Sequence, residues 1–379
     1  MTGAPSAASH TRLLVSVLLY STTLGVTAVA FPLRTLEAGY GVAAVGYLGA
    51  FGAVSQILAR AVLPMVLRRV PDRWLVRAAC VLMAASAAAL VVSTSLAAFL
   101  VAAVLLGVSR SLFWTGSQVY ALRGELPVGQ RRLAHIQVVS SVGEFVGPLG
   151  GGLVADYSIK WSLLLCVVLM VFGVASIWIL DRHPPLARAD RKQVTPLWRQ
   201  PTVALGCAGV VTAGGWRGLL SSVIPAMLAE VGRTPGQIGL LVGLGNAASM
   251  GGSWLAGRVP ARRFAMTTYA SIAATGIAVA LTGLFAGSVV GSGAALAVSG
   301  LGAGLLQTLG TVLAASEVHE AQRGDIVVLT GLFRSLALLA LPAGVAALVG
   351  ALAATTALAV GGGLLILPLA LGLRPRQDL

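Results

Sequence analysis

The chain has 379 residues, only 10% of them charged and 57% hydrophobic, and its mean hydropathy is +0.90. That composition excludes a water-soluble globular domain and predicts a polytopic membrane protein. A formal net charge of +14 would suit nucleic-acid binding in a soluble protein, but the placement of the basic residues excludes that partner.

In chain order the apolar stretches fall at 13–32, 42–66, 74–94, 96–120, 133–155 and 159–180, then at 202–228, 236–256, 263–286, 290–314, 326–350 and 352–372. Crossing a bilayer takes roughly 20 residues of helix. Backbone groups in lipid must bond within their own segment, so these stretches read as helices. The expected fold is an all-α integral membrane protein with twelve transmembrane helices in two pseudo-symmetric six-helix bundles. The ninth and tenth spans are separated only by Gly287-Ser288 and Gly291-Ser292-Gly293. Arg12 before an apolar run ending in Ala28-Val29-Ala30 resembles a signal peptide. An uncleaved first span is expected instead, because Pro32 belongs to a phrase that recurs later.

The segment 181–201 holds five basic residues and four prolines. It reads as a linker between an N-terminal bundle, 1–180, and a C-terminal bundle, 202–379. With the N-terminus inside, Arg34, Lys160 and Arg233 fall on outer segments and Arg60, Arg110, Arg217 and Arg334 fall within spans. All other basic residues are cytoplasmic, an asymmetry that sets both termini in the cytoplasm of a plasma-membrane protein. Loops on the outer side are too short to hold a further domain. Cys80, Cys166 and Cys207 lie inside spans without metal or pairing spacing and read as packing residues. No metal and no cofactor is expected.

Three phrases occur twice. Pro32, Glu37, Gly39, Gly46, Leu48 and Gly52 return as Pro225, Glu230, Gly232, Gly239, Leu241 and Gly245, 193 positions on. Arg69-Val70-Pro71-Asp72-Arg73 returns as Arg258-Val259-Pro260-Ala261-Arg262, and Glu125, Gln130 and Arg131 return as Glu317, Gln322 and Arg323. Pro, Glu and Arg are rare in this composition and their order is kept. A duplicated hydrophobic chain is the signature of a transporter built from two related halves.

The chain resembles the major facilitator superfamily over essentially its whole length. In that family the loop between spans 2 and 3 carries a G-x-L-a-D-R-x-G-R-R pattern, echoed between spans 8 and 9. Here the basic members Arg69, Arg73, Arg258 and Arg262 match it and Asp72 lies within the same segment, while Arg68 and Gly257 replace the motif's Asp. Span 5 reads Gly143-Glu144-Phe145-Val146-Gly147-Pro148-Leu149-Gly150-Gly151-Gly152. It fits a G-x3-G-P-x2-G-G pattern associated with the drug–proton antiporter branch. Leu106 and Arg110 in span 4 match the start of a third motif that does not continue. The resemblance implies cavity-lining spans 1, 4, 7 and 10, so Tyr20, Trp114, Gln118, Trp216, Arg217 and Gln307 are candidate substrate contacts. It also implies that spans 5 and 8 meet between the halves, with Gly143, Gly147, Pro148, Gly151, Gly152, Gly239, Gly243 and Gly251 at that interface. Small residues every fourth position give helices a flat face for close approach.

A charge at the bilayer centre costs roughly 2.5–3.5 kcal/mol on insertion scales. Arg110 and Arg217 lie about 15 and 16 Å from the nearer end of their spans, too deep for an arginine stem to reach water. Of the twelve acidic residues only Glu144 is deep in a span. Burial raises a carboxyl pKa and a nearby arginine lowers it, so Glu144 is the candidate proton carrier and Arg110 its expected partner. A static Glu144–Arg110 ion pair is the plainer alternative. The readings weighed are a proton-coupled exporter of a small hydrophobic or amphipathic molecule and a carrier of an organic anion using the deep arginines. A non-transporting sensor is a third. Protons, a small-molecule substrate and the bilayer are the expected partners, the protein is expected to be a monomer, and no enzymatic chemistry is expected.

Overall fold

The computed structural model describes residues 6–67, 69–121, 126–178, 180–181, 200–316 and 323–369. Arg68, most of the expected linker, and Glu125, Glu317 and Gln322 of the third repeated phrase lie outside them. The described residues form helices and no strand. In the first half these are α1 (Ala7–Glu37), α2 (Val42–Leu67), α3 (Asp72–Val92), α4 (Leu96–Ala121), α5 (Leu126–Tyr157) and α6 (Ile159–Trp178). In the second they are α7 (Pro201–Leu220), α8 (Val223–Glu230), α9 (Pro235–Ala256), α10 (Phe264–Leu284), α11 (Val289–Ser316), α12 (Arg323–Val349) and α13 (Ala354–Leu364). Ten of the described helices are long and apolar enough to cross a membrane. The twelve expected spans map onto α1–α6, α7 with α8, and α9–α13. The break between α10 and α11 is real.

One expected helix is two. The stretch 202–228 is interrupted at Ser221-Ser222, where Ser221 Oγ donates to the Arg217 carbonyl (3.0 Å) and Ser222 Oγ to the Gly218 carbonyl (2.7 Å). Hydroxyls that bond carbonyls of the preceding turn compete with the helical ladder and bend it. The Ser222 backbone leaves the helical region and α8 starts beyond it.

The first repeated phrase is a pair of matching helix ends. Gly39 has φ +87° and Gly232 has φ +82°. The Tyr40 N–H reaches back to the Thr35 carbonyl (3.2 Å) and the Arg233 N–H to the Leu228 carbonyl (3.0 Å). This six-to-one closure needs a left-handed residue, which only glycine adopts cheaply, so the two glycines are fixed by the turn. Each turn also lends a cation to a neighbouring helix end, from different positions. Arg34 Nε donates to the Leu90 carbonyl (3.1 Å) while Arg34 pairs with Glu37, and Arg233 Nη2 donates to the Ala286 carbonyl (3.1 Å). Cations at helix C-termini satisfy orphan carbonyls and complement the dipole.

Two compact units make up the chain. The first comprises 1–40, 51–191 and 234–243, and the second 41–50, 192–233 and 244–379. Each unit therefore takes ten residues from the opposite sequence half, in both cases the opening turns of a second span. The first unit's core gathers Leu13, Val17, Tyr20, Met83, Phe113 and Met170, all fully buried. At its edge, Asp156 at the end of α5 accepts from the Gly236 N–H (2.8 Å) in the first turn of α9. Thr234 and Gln237 close a reciprocal capping box on the same turn, each side chain bonding the other's backbone N–H (3.3 Å). Pro235 has no N–H to satisfy, so together with the bond from the Ile238 N–H to the Thr234 carbonyl the turn is accounted for.

Replacing Gly39 or Gly232 by Ala is expected to cost about 1–2 kcal/mol each, the penalty of a side chain in the left-handed region. Thermal unfolding in detergent checks this, and the double variant should lose about the sum. Asp156→Ala should cost about 0.5–2 kcal/mol, as for a lost helix cap. Asp156→Asn, which keeps an acceptor oxygen, should cost less on the same assay.

Candidate transport site

In the first unit α1 and α4 meet through an aromatic stack. Tyr20 is fully buried and its hydroxyl pairs with Ser109 Oγ (2.8 Å), which also lies within hydrogen-bond distance of the Ala79 carbonyl (2.8 Å). The Phe113 ring lies 3.7 Å from that of Tyr20 at an angle of 3°, and Trp114 closes edge-on at 6.4 Å from Tyr20 and 5.6 Å from Phe113. Burial of a tyrosine with its hydroxyl bonded is the arrangement that costs least. Tyr20 thus belongs to the packing between helices. Trp114 is half-buried and Gln118, one turn on, is exposed. Arg110 follows Ser109 directly, close enough for its charge to act on Tyr20.

Glu144 and Arg110 are both half-buried and both engaged in polar or electrostatic contacts. Glu144 stands nine residues beyond His135, where the candidate span of α5 begins, or about 13 Å along the axis. Four residues later Pro148 lacks the N–H that the Glu144 carbonyl would receive in a regular helix, so α5 is weakest at this residue.

The glycines of α5 divide between two neighbours. Gly143, Gly147 and Gly151, at four-residue spacing, lie against α1 over Leu18–Val26, so this flat face meets α1 rather than α9. The approach of α5 to α9 is made by Pro148, Gly152 and Phe145 on one side and Gly239 and Gly243 on the other. Gly251 has nothing within 4 Å of where a Cβ would stand.

Pro148 is wedged between two glycines: its Cδ lies 2.5 Å from where a Cβ on Gly25 of α1 would be, and its carbonyl faces Gly239 of α9. The second unit repeats this with Pro342 of α12. Pro342 Cγ lies 2.8 Å from the Cβ position of Gly218 on α7, and its carbonyl 2.9 Å from that of Gly46 on α2. Gly25 and Gly218 are 193 residues apart, as are Gly46 and Gly239, and the prolines are 194 apart. Sequence reasoning missed Pro342, although its spacing from Pro148 nearly equals that of Pro32 and Pro225.

The second unit's polar groups lie on α7, α9, α11 and α12. Trp216 is 2% exposed and its indole N–H donates to Ser299 Oγ (3.1 Å), which makes it a packing residue. Arg217 Nη1 donates to Asn246 Oδ1 (2.7 Å), and Arg334 Nη2 to Gln307 Oε1 (3.4 Å). Asn246 and Arg334 were absent from the sequence-based candidates for this site. A lone Asn in an apolar span was the available signal.

The loop-motif arginines serve local structure. Arg73 stands over the Trp74 ring at 5.8 Å and Arg258 over Trp254 at 3.3 Å. Asp72 is buried at the first residue of α3 and its Oδ1 accepts from the Arg73 N–H (2.9 Å), the helix-start role of an acidic residue. Arg69 and Arg262 have no comparable partner described. Arg77, outside the motif, is held between Trp74 and Trp178 at 4.6 and 4.7 Å and caps α6 through the Trp178 carbonyl (2.6 Å).

Among solved structures the chain is similar to a bacterial homologue of the human lysosomal transporter Spinster in an inward-facing, unoccupied conformation, with a TM-score of 0.73 at 15% identity, over 97% of this chain and 95% of that one. It is similar to a POT family transporter crystallised with a thioalcohol-conjugated peptide, with a TM-score of 0.72 at 13% identity, over 94% and 93% of the two chains. It is also similar to the nucleoside transporter NupG, with a TM-score of 0.71 at 12% identity, over 96% and 98%. At these identities the likeness is one of fold. No curated protein sequence matches the chain. The Major Facilitator Superfamily profile matches residues 13–342, and with the duplicated helices described above it follows that this multi-pass membrane protein belongs to the major facilitator superfamily of transporters.

Proposed function

We propose that the protein is a proton-coupled secondary transporter that exports a small amphipathic molecule by alternating access. The reading puts it in the plasma membrane as a monomer, with both termini in the cytoplasm. It is a carrier and not an enzyme, and needs no cofactor. The observation that carries the reading is Glu144, the one acid deep in a span, one turn before a proline that weakens its helix. A carboxyl group at such a position changes its solvation and its distance from Arg110 when the helix moves. Its proton affinity then changes with conformation, which is what coupling requires. In this reading Glu144 takes a proton from the outer side and releases it inside as the solute leaves in the opposite direction. Trp114 and Gln118 line the first unit's part of the cavity.

The antiporter pattern in α5 supports this reading through its physics. The glycine face of α5 lets that helix bend against α1 without losing contact, and Gly152 and Gly239 let α5 and α9 separate without unlocking bulky side chains.

Proteoliposomes preloaded with a panel of cationic, neutral and anionic amphipathic dyes test the mechanism. An acid-outside gradient should accelerate efflux of at least one dye by tenfold or more. Glu144→Gln should remove the gradient's effect while leaving gradient-free counterflow of that dye within about threefold of the parent. If every dye that crosses does so at a rate indifferent to pH, or if Glu144→Gln keeps the response, Glu144 is not the coupling group.

A further inference from the structure

We propose that Asp156 is a positioning residue of the transport cycle: its carboxylate, seated on the first turn of α9, ties the outer ends of α5 and α9 together and lets go when the carrier opens outward. The proposal rests on the alternating-access reading and the orientation given above, and is independent of proton coupling.

The contact is direct. Asp156 is the next-to-last residue of α5, and its Oδ1 accepts from the Gly236 N–H (2.8 Å). Charge-assisted bonding and the helix dipole both favour a carboxylate at a helix start. The seat is fitted to it: a Cβ on Gly236 would overlap Asp156 Oδ2, so only glycine leaves room for the carboxylate. Thr234 and Gln237 bond each other's N–H from within the turn, which leaves the Gly236 N–H for an acceptor from another helix.

The bond lies at the tip of an arm. Pro148 stands eight residues before Asp156, about 12 Å along the axis, and weakens α5 where its carbonyl meets Gly239. A bend of about 20° at Pro148 carries the tip of that arm about 4 Å. That displacement takes an N–H···O bond past its ordinary limit of about 3.2 Å. Asp156 is exposed, so water replaces the bond when it breaks. A small hinge motion is thereby converted into the making or breaking of one contact at the outer end. All of these residues belong to the first unit.

The repeat shows that the tie is an addition to the scaffold. Pro342 and Gly46 of the second unit are the counterparts of Pro148 and Gly239. Gly350 stands eight residues after Pro342 and Ala43 three before Gly46, where the first unit has Asp156 and Gly236. Gly350 has no side chain to offer, so the same bond does not form there. A proline seat is built without the carboxylate, which leaves Asp156 free to serve the cycle.

The test is a spin-label distance measurement on the purified full-length protein in lipid nanodiscs. Labels on Tyr157→Cys and Leu240→Cys, both exposed positions, report the separation of α5 and α9, while Cys80, Cys166 and Cys207 are buried. The parent should give mainly the shorter distance. Asp156→Ala should raise the ratio of long to short by about two- to thirtyfold, the equilibrium range of a lost helix cap, and Asp156→Asn by less. Gly236→Ala displaces the carboxylate from the other side and should do the same, and the double variant should go no further than the larger single effect. Thr234→Ala and Gln237→Ala weaken the start of α9 and should lower the melting temperature without moving the ratio. Glu144→Gln should keep the effect of Asp156→Ala, so a failure of proton coupling leaves this result standing. A ratio unchanged in both Asp156→Ala and Gly236→Ala, a single distance in every variant, additive effects in the double variant, or an equal shift from Thr234→Ala would overturn the assignment.

Discussion

A membrane interior gives helices little reason to associate, since lipid tails are as apolar as leucine; what holds them is how closely their backbones fit. In this protein two of the close fits centre on prolines, each seated between two glycines. Pro148 sits between Gly25 and Gly239, and Pro342 between Gly218 and Gly46. Each proline loosens its own helix by withholding one N–H and fills the notch left by two missing side chains. Tight contact and local weakness thus occur at the same residue. Glu144 is one turn from the first of these points and Gly214, beneath Arg334, is one turn from Gly218. The candidate chemistry of each unit is built around its proline.

Much of this was legible in the sequence because it is written twice. The recurrence of Gly39 as Gly232 announced a shared turn, and the closure from Tyr40 to Thr35 recurs bond for bond from Arg233 to Leu228. The apolar stretches located the helices because lipid leaves the backbone one way to satisfy itself. Partner choice was less legible. A four-residue glycine spacing says that some helix comes close; it does not say that α1 rather than α9 fills the face of Gly143, Gly147 and Gly151. The break at Ser221-Ser222 was hidden because serines read as tolerable helix residues until their hydroxyls are seen bonding Arg217 and Gly218.

Where the repeat lapses, the differences are chemical. Arg34 and Arg233 cap comparable helix ends from non-equivalent positions. Tyr20 and Trp216 are each anchored by a serine hydroxyl, yet they belong to different registers of the repeat. The first unit holds the one deep acid, and the second holds two inner arginines with amide partners. A duplicated scaffold fixes where helices approach one another and leaves side chains at those places free to diverge, so the two halves can carry different chemistry.

The exchange of ten-residue segments has a consequence for biosynthesis. The first unit includes Thr234–Gly243, with the cap from Asp156 to Gly236 and the seat of Pro148 on Gly239. Those contacts do not exist until the ribosome has passed residue 243, well beyond the end of the first six helices. Domains usually fold as units while the chain is being made, N-terminal first. Here the first six helices must wait in the bilayer with a glycine-lined notch unfilled, and the order of synthesis makes the nascent second half the element that closes the first.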